Sequence, residues 1–181
     1  MSEIVNVVAS GDLGRELDVS AVADDIDAGV VNTQGGEYRT PTLYVKQSEG
    51  SPLVTVYESG SYHISGAGSA AEAEAACDWF VSALETLGIG VGDVTFGVRN
   101  VVVVGDLEAE MDLNRLTVEL GFERTEYEPE QFPGLVYRPE DSACVFLIFA
   151  SGRVVIPGAP AAETAFDGFD SLKERLTELA Q

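Results

Sequence analysis

Alternating apolar and polar positions recur twice along the chain, and each series ends in a helical stripe. The alternation predicts an opening strand at 4–10 and its counterpart at 94–104. A short helix is expected to begin near Asp18 in the first series and near Asp112 in the second. Three more strands are expected in each series, at 40–46, 52–58, 61–66, 134–138, 143–150 and 152–157. Tight turns at 58–60 and 150–152 join the last two strands of each series into hairpins.

A long helix ends each series. Ser69 and Glu72 have the spacing of a capping box, and Gly88 stands where such a helix stops. Apolar residues at helical spacing form the stripe of each helix: Ala73, Ala76, Cys77, Phe80, Leu84 and Leu87, then Ala165, Phe169, Leu172, Leu176 and Leu179. We interpret both stripes as core faces rather than cofactor sites.

The two series are copies of one unit of about 90 residues. Asn6 aligns with Asn100 at an offset of 94 positions, and the match continues at an offset of 92, where Gly29 aligns with Gly121 and Leu43 with Leu135. A shared offset over such a length indicates an internal duplication. The predicted domains are 1–90 and 91–181.

Edge-to-edge joining of the two copies would give an antiparallel sheet with both long helices on one face. The other face would remain uncovered. In the hairpin of the second copy, Val145, Leu147 and Phe149 point one way and Cys144, Phe146 and Ile148 the other, because side chains alternate along a strand. A sheet that is apolar on its open side is typical of a binding surface.

Charge and composition restrict the class of protein. The 181 residues carry a net charge of −21, which repels nucleic acid at low ionic strength. Molar salt shortens the Debye length to about 3 Å, so the charge fits either a salt-adapted surface or an acidic partner-binding face. The sequence shows no secretory leader and no membrane span, and we expect a cytoplasmic protein.

Cysteine and histidine are scarce, and this restricts the chemistry of the chain. The chain has two cysteines, Cys77 and Cys144, and one histidine, His63, so we expect no disulfide framework, metal site or cofactor. We also expect no enzyme, since no nucleophile or phosphate-binding motif is present.

Two segments of the second copy, 126–138 and 147–155, closely resemble the second repeat of the TATA-box-binding protein family, and the opening residues 6–10 and 12–18 resemble its start. With the acidity, the chain looks like a version from a salt-adapted archaeon. The resemblance implies an α+β fold: two pseudo-symmetric repeats forming a curved, saddle-like antiparallel sheet with helices on the convex face. It also implies a nucleoid-associated general transcription factor that binds and bends promoter DNA in the minor groove and recruits transcription factor B.

The resemblance also supplies candidate site residues. The amides of Asn6 and Asn100 would donate to minor-groove acceptors near the pseudo-dyad, while Phe132 and Phe149 would be the wedge pair. The remaining candidates are Val8, Val102 and Val155 against the groove floor, Tyr57 at the first-copy wedge position, and Lys46, Arg99, Arg138 and Arg153 at the DNA backbone. The alternatives are structural roles. Each Asn would be a buried strand residue whose amide bonds to the backbone, and the two Phe would be core residues.

Partners follow from the same resemblance. Glu128, Glu130 and Gln131 match the acidic loop that receives transcription factor B in the family, whereas the first-copy stretch 35–39 does not match it. We therefore expect one such partner, docked on the second copy. Salt cations are expected at the DNA interface because the protein is so acidic.

The first copy departs from the family pattern. Thr40 replaces the first wedge Phe, Tyr57 the second, His63 stands at the position of Val155, and Ser61 at that of Arg153. The alternative function is a divergent paralogue that acts mainly through protein interactions, with weak or no DNA binding. In the second copy Pro157 predicts a strand end or edge.

Overall fold

A computed structural model describes residues 1–36 and 39–179. Contacts divide the chain into a first unit, residues 6–99, and a second unit, residues 1–5 and 100–181. Both units are described separately below, and the predicted boundary at residues 90 and 91 stays a prediction. Among the described residues, no helix is long and apolar enough to cross a bilayer.

The first unit is an antiparallel sheet with two helices. The strand order is β2-β3-β4-β5-β1. The elements are β1 (Ser2–Asp12, whose first residues group with the second unit), α1 (Val19–Asp25), β2 (Val30–Gly36), β3 (Arg39–Lys46), β4 (Leu53–Tyr57), β5 (Ser61–Ala67) and α2 (Ala70–Thr86).

The second unit repeats this plan with shorter strands. The strand order is β6-β10-β9-β8-β7. The elements are β6 (Gly97–Asp106), α3 (Leu113–Leu120), β7 (Thr125–Glu126), β8 (Leu135–Tyr137), β9 (Phe146–Ile148), β10 (Arg153–Ala159) and α4 (Ala162–Leu179).

The predicted number of strands was wrong by one in each unit. A fifth strand, β2 or β7, follows the short helix and pairs with β3 or β8 at the edge of the sheet. In β2 the polar run from Asn32 to Gly36 hides the alternation, and β7 has only two residues. Backbone pairing with a neighbour, more than the segment's own side-chain pattern, makes each segment a strand.

The helix starts are fixed locally, as predicted. The Asp18 carboxylate accepts from the backbone N–H of Ala21 at 3.0 Å, and Asp112 accepts from that of Arg115 at 3.1 Å. At α2, Ser69 accepts from the Glu72 N–H, while the Glu72 carboxylate accepts from Gly68 N–H. Each bond satisfies a backbone donor that the first helical turn leaves unpaired.

Strand register shows the duplication in three dimensions. In the first unit Asp12 pairs with Ser61, and in the second Asp106 pairs with Arg153. Both final strands contain a bulge at the same place, between Ile64 and Ala67 and between Ile156 and Ala159. The bulge residues Gly66 and Gly158 have φ of 80° and 69°, a conformation that glycine adopts without strain.

The bulge corrects the expectation for Pro157. This residue is not at a strand end, because β10 continues to Ala159, but it lies past the β10 residues that pair with β9, so on that side it is locally at an edge. It occupies the bulge after Ile156, where the ladder is interrupted and a missing N–H donor is tolerated.

One face of each sheet is buried beneath helices. On this helix-covered face of the second unit, Val103, Phe146, Ile148, Val154 and Ile156 are each at most 1% exposed. The α4 helix packs here: Gly105 faces the ring of Phe169, and a Cβ on Gly105 would lie 2.4 Å from that ring. Close packing of α4 therefore requires glycine at position 105.

Gly105→Ala should destabilise the protein by about 1–3 kcal/mol, since the added methyl forces Phe169 out of its packed position. Urea denaturation followed by circular dichroism measures the change in free energy of unfolding. Gly50→Ala is the control, because nothing lies within 4 Å of a Cβ at that position. Equal midpoints for the two variants would contradict the proposed packing.

Candidate nucleic-acid interface

The second unit has an apolar face that its helices do not cover. Val102 and Val104 of β6, Val155 of β10, Leu147 of β9 and Val136 of β8 are half-buried there, while their neighbours along each strand are buried under α4. Val155 pairs with both Val104 and Leu147, and Val136 pairs with Leu147. These five side chains therefore form a continuous apolar row across four strands.

Phe132 and Phe149 extend this face. Their ring centroids are 5.7 Å apart with an interplanar angle of 69°, and Phe132 is 37% exposed. Phe146 lies on the opposite face, where its ring approaches Gly168 of α4. The two wedge candidates are thus placed together and outside the helix-covered core.

Gly134 makes the ring pair possible, and the sequence analysis missed this residue. A Cβ at position 134 would lie 2.7 Å from the ring of Phe132 and 3.1 Å from that of Phe149. The equivalent residue of the first copy is Thr42, whose hydroxyl donates to the Thr40 carbonyl oxygen at 3.3 Å. The replacement of Phe132 by Thr40 is therefore accompanied by loss of the glycine that accommodates the ring.

The uncovered face of the first unit is more polar. Its central row runs from Ser10 through His63 and Thr55 to Tyr44 in neighbouring strands. The second-copy hairpin led us to expect that both faces of the sheet are apolar. This row of the first unit is polar, so the expectation does not hold there. Val8 lies on the same face, because its neighbours Val7 and Ala9 point into the core, and it is half-buried.

Tyr57 and His63 form a pair on this polar face. The Tyr57 hydroxyl lies 2.7 Å from His63 Nε2, and the two rings meet edge to face at a centroid distance of 5.3 Å. Tyr57 also pairs across strands with Thr42. Tyr57 differs from Phe149 by its hydroxyl, and this hydroxyl bonds to His63 on the same sheet. The bond holds the Tyr57 ring against the surface of the sheet.

The two asparagines differ in their hydrogen bonds. Asn6 Oδ1 accepts from the Gly66 N–H at 2.8 Å, so its Nδ2 hydrogens are directed to other acceptors. Asn100 Oδ1 is buried without a partner among the residues that the structure describes. The bulge glycine Gly66 therefore orients the Asn6 amide. Its counterpart Gly158 does not orient the amide of Asn100.

The candidate cations are distributed around the uncovered faces. Arg99 donates from Nε to Ser10 Oγ at 2.7 Å, and Arg138 forms an ion pair with Glu126 at 3.0 Å, with both side chains largely exposed. Arg153 is exposed at the start of β10, and Lys46 is half-buried at the end of β3. An exposed ion pair is weak, so Arg138 can exchange Glu126 for a phosphate at small cost.

The acidic loop is held as a turn next to the wedge pair. The backbone N–H groups of Gln131 and Phe132 both donate to the Glu128 carbonyl oxygen at 2.9 Å, and Glu128, Glu130 and Gln131 are exposed. In the first-copy stretch 35–39, residues 37 and 38 lie outside the described residues. The loop bonds fix Phe132 relative to the three candidate partner residues.

Groups with shifted pKa belong to the helix-covered faces. Burial raises the pKa of Tyr62, whose hydroxyl donates to the Thr95 carbonyl oxygen at 2.6 Å. Burial also raises the pKa of Cys77, whose Sγ lies 3.1 Å from that hydroxyl, and the pKa of Tyr137. We assign Tyr62 and Cys77 to packing between α2 and its sheet.

These features define a class of protein: a duplicated α+β unit with helices on one sheet face and the other sheet face uncovered. Comparison with known proteins specifies the family. Residues 1–87 and 95–179 match the family described as transcription factor TFIID, or TATA-binding protein. The chain belongs to this family, and the two matched stretches confirm the inferred duplication.

Relatives match over nearly the whole chain. TATA-box-binding protein C of Halobacterium salinarum is 43% identical over 98% of both chains, and TATA-box-binding protein 2 of Haloferax volcanii is 36% identical over 98% of this chain and 94% of its own. The solved structure of Methanococcus jannaschii TBP matches with a TM-score of 0.83 and 35% identity, covering 98% of both chains. The predicted α+β two-repeat fold and the resemblance to archaeal relatives, including salt-loving ones, are confirmed. These relatives are transcription factors, not enzymes.

Proposed function

We propose that this protein is a general transcription factor that binds TATA-like promoter DNA in the minor groove and bends it. The observation that carries the proposal is the Phe132–Phe149 pair, which lies uncovered beside an apolar row that reaches across four strands. Large uncovered apolar surfaces are typical of binding sites. The minor groove, with its hydrocarbon sugar walls, offers a partner of matching chemistry.

Each set of residues has its own task in this proposal. Phe132 and Phe149 enter a base step and unstack it, which costs a few kcal/mol that wider contact must offset. Val102 and Val155 cover the groove floor, with Val8 in the equivalent place on the first unit. Asn6 and Asn100 donate to acceptors of A·T pairs. Lys46, Arg99, Arg138 and Arg153 contact phosphates.

The two units contribute unequally to bending. Thr40 is too small to unstack a base step, and Tyr57 is held to the sheet by His63 at 2.7 Å. Driving Tyr57 into a base step would break that bond and bury a hydroxyl without a partner. The first unit therefore grips DNA mainly through surface contact, and the kink beside the second unit is the larger.

Phe149→Ala should weaken binding to a TATA duplex by about ten- to a hundredfold, since it removes a buried aromatic contact of roughly 1.5–3 kcal/mol. Fluorescence anisotropy measures the Kd. Phe122→Ala is the matched control, because Phe122 is 69% exposed and lies after α3, away from the proposed interface. Equal affinity of both variants for TATA DNA would refute the proposal.

The inequality of the two kinks has a direct test. In the native protein, fluorescence transfer on a duplex labelled around each kink should report a larger angle beside the second unit. Thr40→Phe with Thr42→Gly should raise the smaller angle, whereas Thr40→Phe alone should raise it less, since a Cβ at position 42 occupies the space of the ring. Two equal kinks in the native complex would contradict the asymmetry.

We further propose that the loop of Glu128, Glu130 and Gln131 receives transcription factor B. The support is its exposure, its charge and its fixed turn geometry. One factor would dock per protein, on the second unit. We also expect salt cations between protein and DNA, because the chain carries a net charge of −21.

Glu128→Arg combined with Glu130→Arg should reduce capture of transcription factor B at least tenfold in a pull-down on promoter DNA, because two attractive charges become repulsive. The control is Asp24→Arg with Asp25→Arg, an equal charge change at exposed positions of α1. Retention of the factor by the loop variant would exclude this docking site.

Added salt should leave DNA affinity unchanged or raise it. Ordinary complexes lose affinity with salt as phosphate counterions are released, but a chain with net charge −21 must take up cations to approach DNA. Gel-shift titrations against TATA and scrambled duplexes across potassium chloride concentrations measure the slope. A steep fall of affinity with salt would overturn this expectation.

The alternative, a paralogue that works mainly by protein interactions, is not favoured. Its support is confined to the first unit, at Thr40, Ser61 and His63. The relatives that match the chain from end to end are TATA-box-binding proteins. Failure of the native protein to distinguish TATA from scrambled duplex in the same gel shift would reverse this preference.

A further inference from the structure

The uncovered faces of the two units carry opposite chemistry at equivalent positions. Along the central row of each sheet, an aliphatic side chain of the second unit is replaced in the first unit by one with a hydroxyl or an imidazole. The equivalent residues are Val104 and Ser10, Val155 and His63, Leu147 and Thr55, and Val136 and Tyr44. Strand register places each set side by side in its own sheet. The whole row has therefore changed its chemistry, not one contact.

His63 is the exposed residue at the centre of the first-unit row. It pairs across strands with Ser10 and Thr55, and its side chain is exposed, whereas Thr55 is only 7% exposed. His63 Nε2 lies 2.7 Å from the Tyr57 hydroxyl. Among the described residues nothing bonds to His63 Nδ1, so this nitrogen is available to a ligand on the uncovered face.

The bond to Tyr57 allows Nδ1 to act either as a donor or as an acceptor. A neutral imidazole has one N–H and one unprotonated nitrogen, and a phenol hydroxyl both donates and accepts. When Nε2 accepts from the Tyr57 hydroxyl, Nδ1 carries the proton and donates. When Nε2 donates to the Tyr57 oxygen, Nδ1 accepts. His63 can therefore pair with either kind of polar group, whereas Val155 can pair with neither.

This difference matters in the minor groove, where one group distinguishes the base pairs. A·T pairs present only acceptors there, and G·C pairs add the N2 amino donor of guanine. An aliphatic side chain packed against that amino group leaves a buried donor without a partner, which is unfavourable. An acceptor at the same place bonds to the amino group and removes the penalty.

We propose that the two units read different base pairs. The second unit excludes G·C pairs from its half of the site, and the first unit accepts them through Nδ1 of His63. This inference rests on the proposed function, because it requires binding in the minor groove. The preferred promoter element is then asymmetric, with one half restricted to A·T pairs and one half that accepts guanine.

A self-complementary site tests the proposal without fixing the orientation of the protein. In the duplex TATATATA the two halves are identical, and the protein can place either half under its first unit. One A·T pair is changed to G·C at each position in turn, in one half or at both symmetric positions, and fluorescence anisotropy measures the Kd. Where the double change weakens binding at least tenfold, the single change should weaken it less than about threefold, because the altered half moves to the first unit.

Two results would overturn the proposal. One is a single change that weakens binding tenfold at every position where the double change does so. The other is a double change that leaves the Kd unchanged at every position. Failure of the native protein to prefer TATATATA over a scrambled duplex is a separate result, which removes the proposed function itself and this inference with it.

Exchange of the two equivalent residues gives a reciprocal test. His63→Val should raise the loss caused by the single change to at least tenfold, and Val155→His should lower the loss caused by the double change to less than about threefold. Thr86→Val is the control, since it removes a hydroxyl that donates to the Ser82 carbonyl oxygen at 2.9 Å on α2, and it should keep the native ratios. Circular dichroism checks that each variant is folded.

Native ratios in His63→Val would exclude His63 as the residue that accepts guanine. This variant keeps the test decisive if Val155→His fails to fold, because His63 is exposed and valine already occupies the equivalent position of the second unit.

Discussion

Burial of every second residue under the helices is the constraint on which the structure depends. In both units the residues that face the helices are almost completely buried, while their neighbours along each strand are left without a covering layer. Because side chains alternate along a strand outside the bulges, a unit cannot build this core without presenting the other set of side chains. The uncovered face is therefore a consequence of how the core forms, and its composition is free to vary with function.

That freedom explains how two copies with one backbone plan carry different surfaces. Strand pairing, bulge position and the cap of the short helix are repeated between the units, since they depend on the core and on backbone hydrogen bonds. The uncovered faces have diverged in coupled steps. Thr40, at the position of Phe132, goes with a side chain at Thr42, at the position of Gly134, and the hydroxyl of Tyr57 goes with His63. Each step leaves the strand pairing intact and changes only the side chains that the uncovered face presents.

Much of the fold could be predicted because its signals are local. The Asp18 and Asp112 caps, the stripe of α2 and the alternation around Phe146 each depend on residues a few positions apart, and the structure agrees with all of them. Edge strands β2 and β7 were missed because pairing with a neighbour, not their own pattern, defines them. The bulge at Pro157 was missed for a related reason: it exists only in relation to β6.

The sequence by itself determined the duplication, the two helix stripes, the family resemblance and the residues that differ between the copies. Tertiary structure decided which of those residues meet. Gly134 admits the rings of Phe132 and Phe149, and His63 holds Tyr57. These contacts join residues on different strands or helices, so they depend on register and packing distances. No local pattern of residues encodes a distance across a sheet.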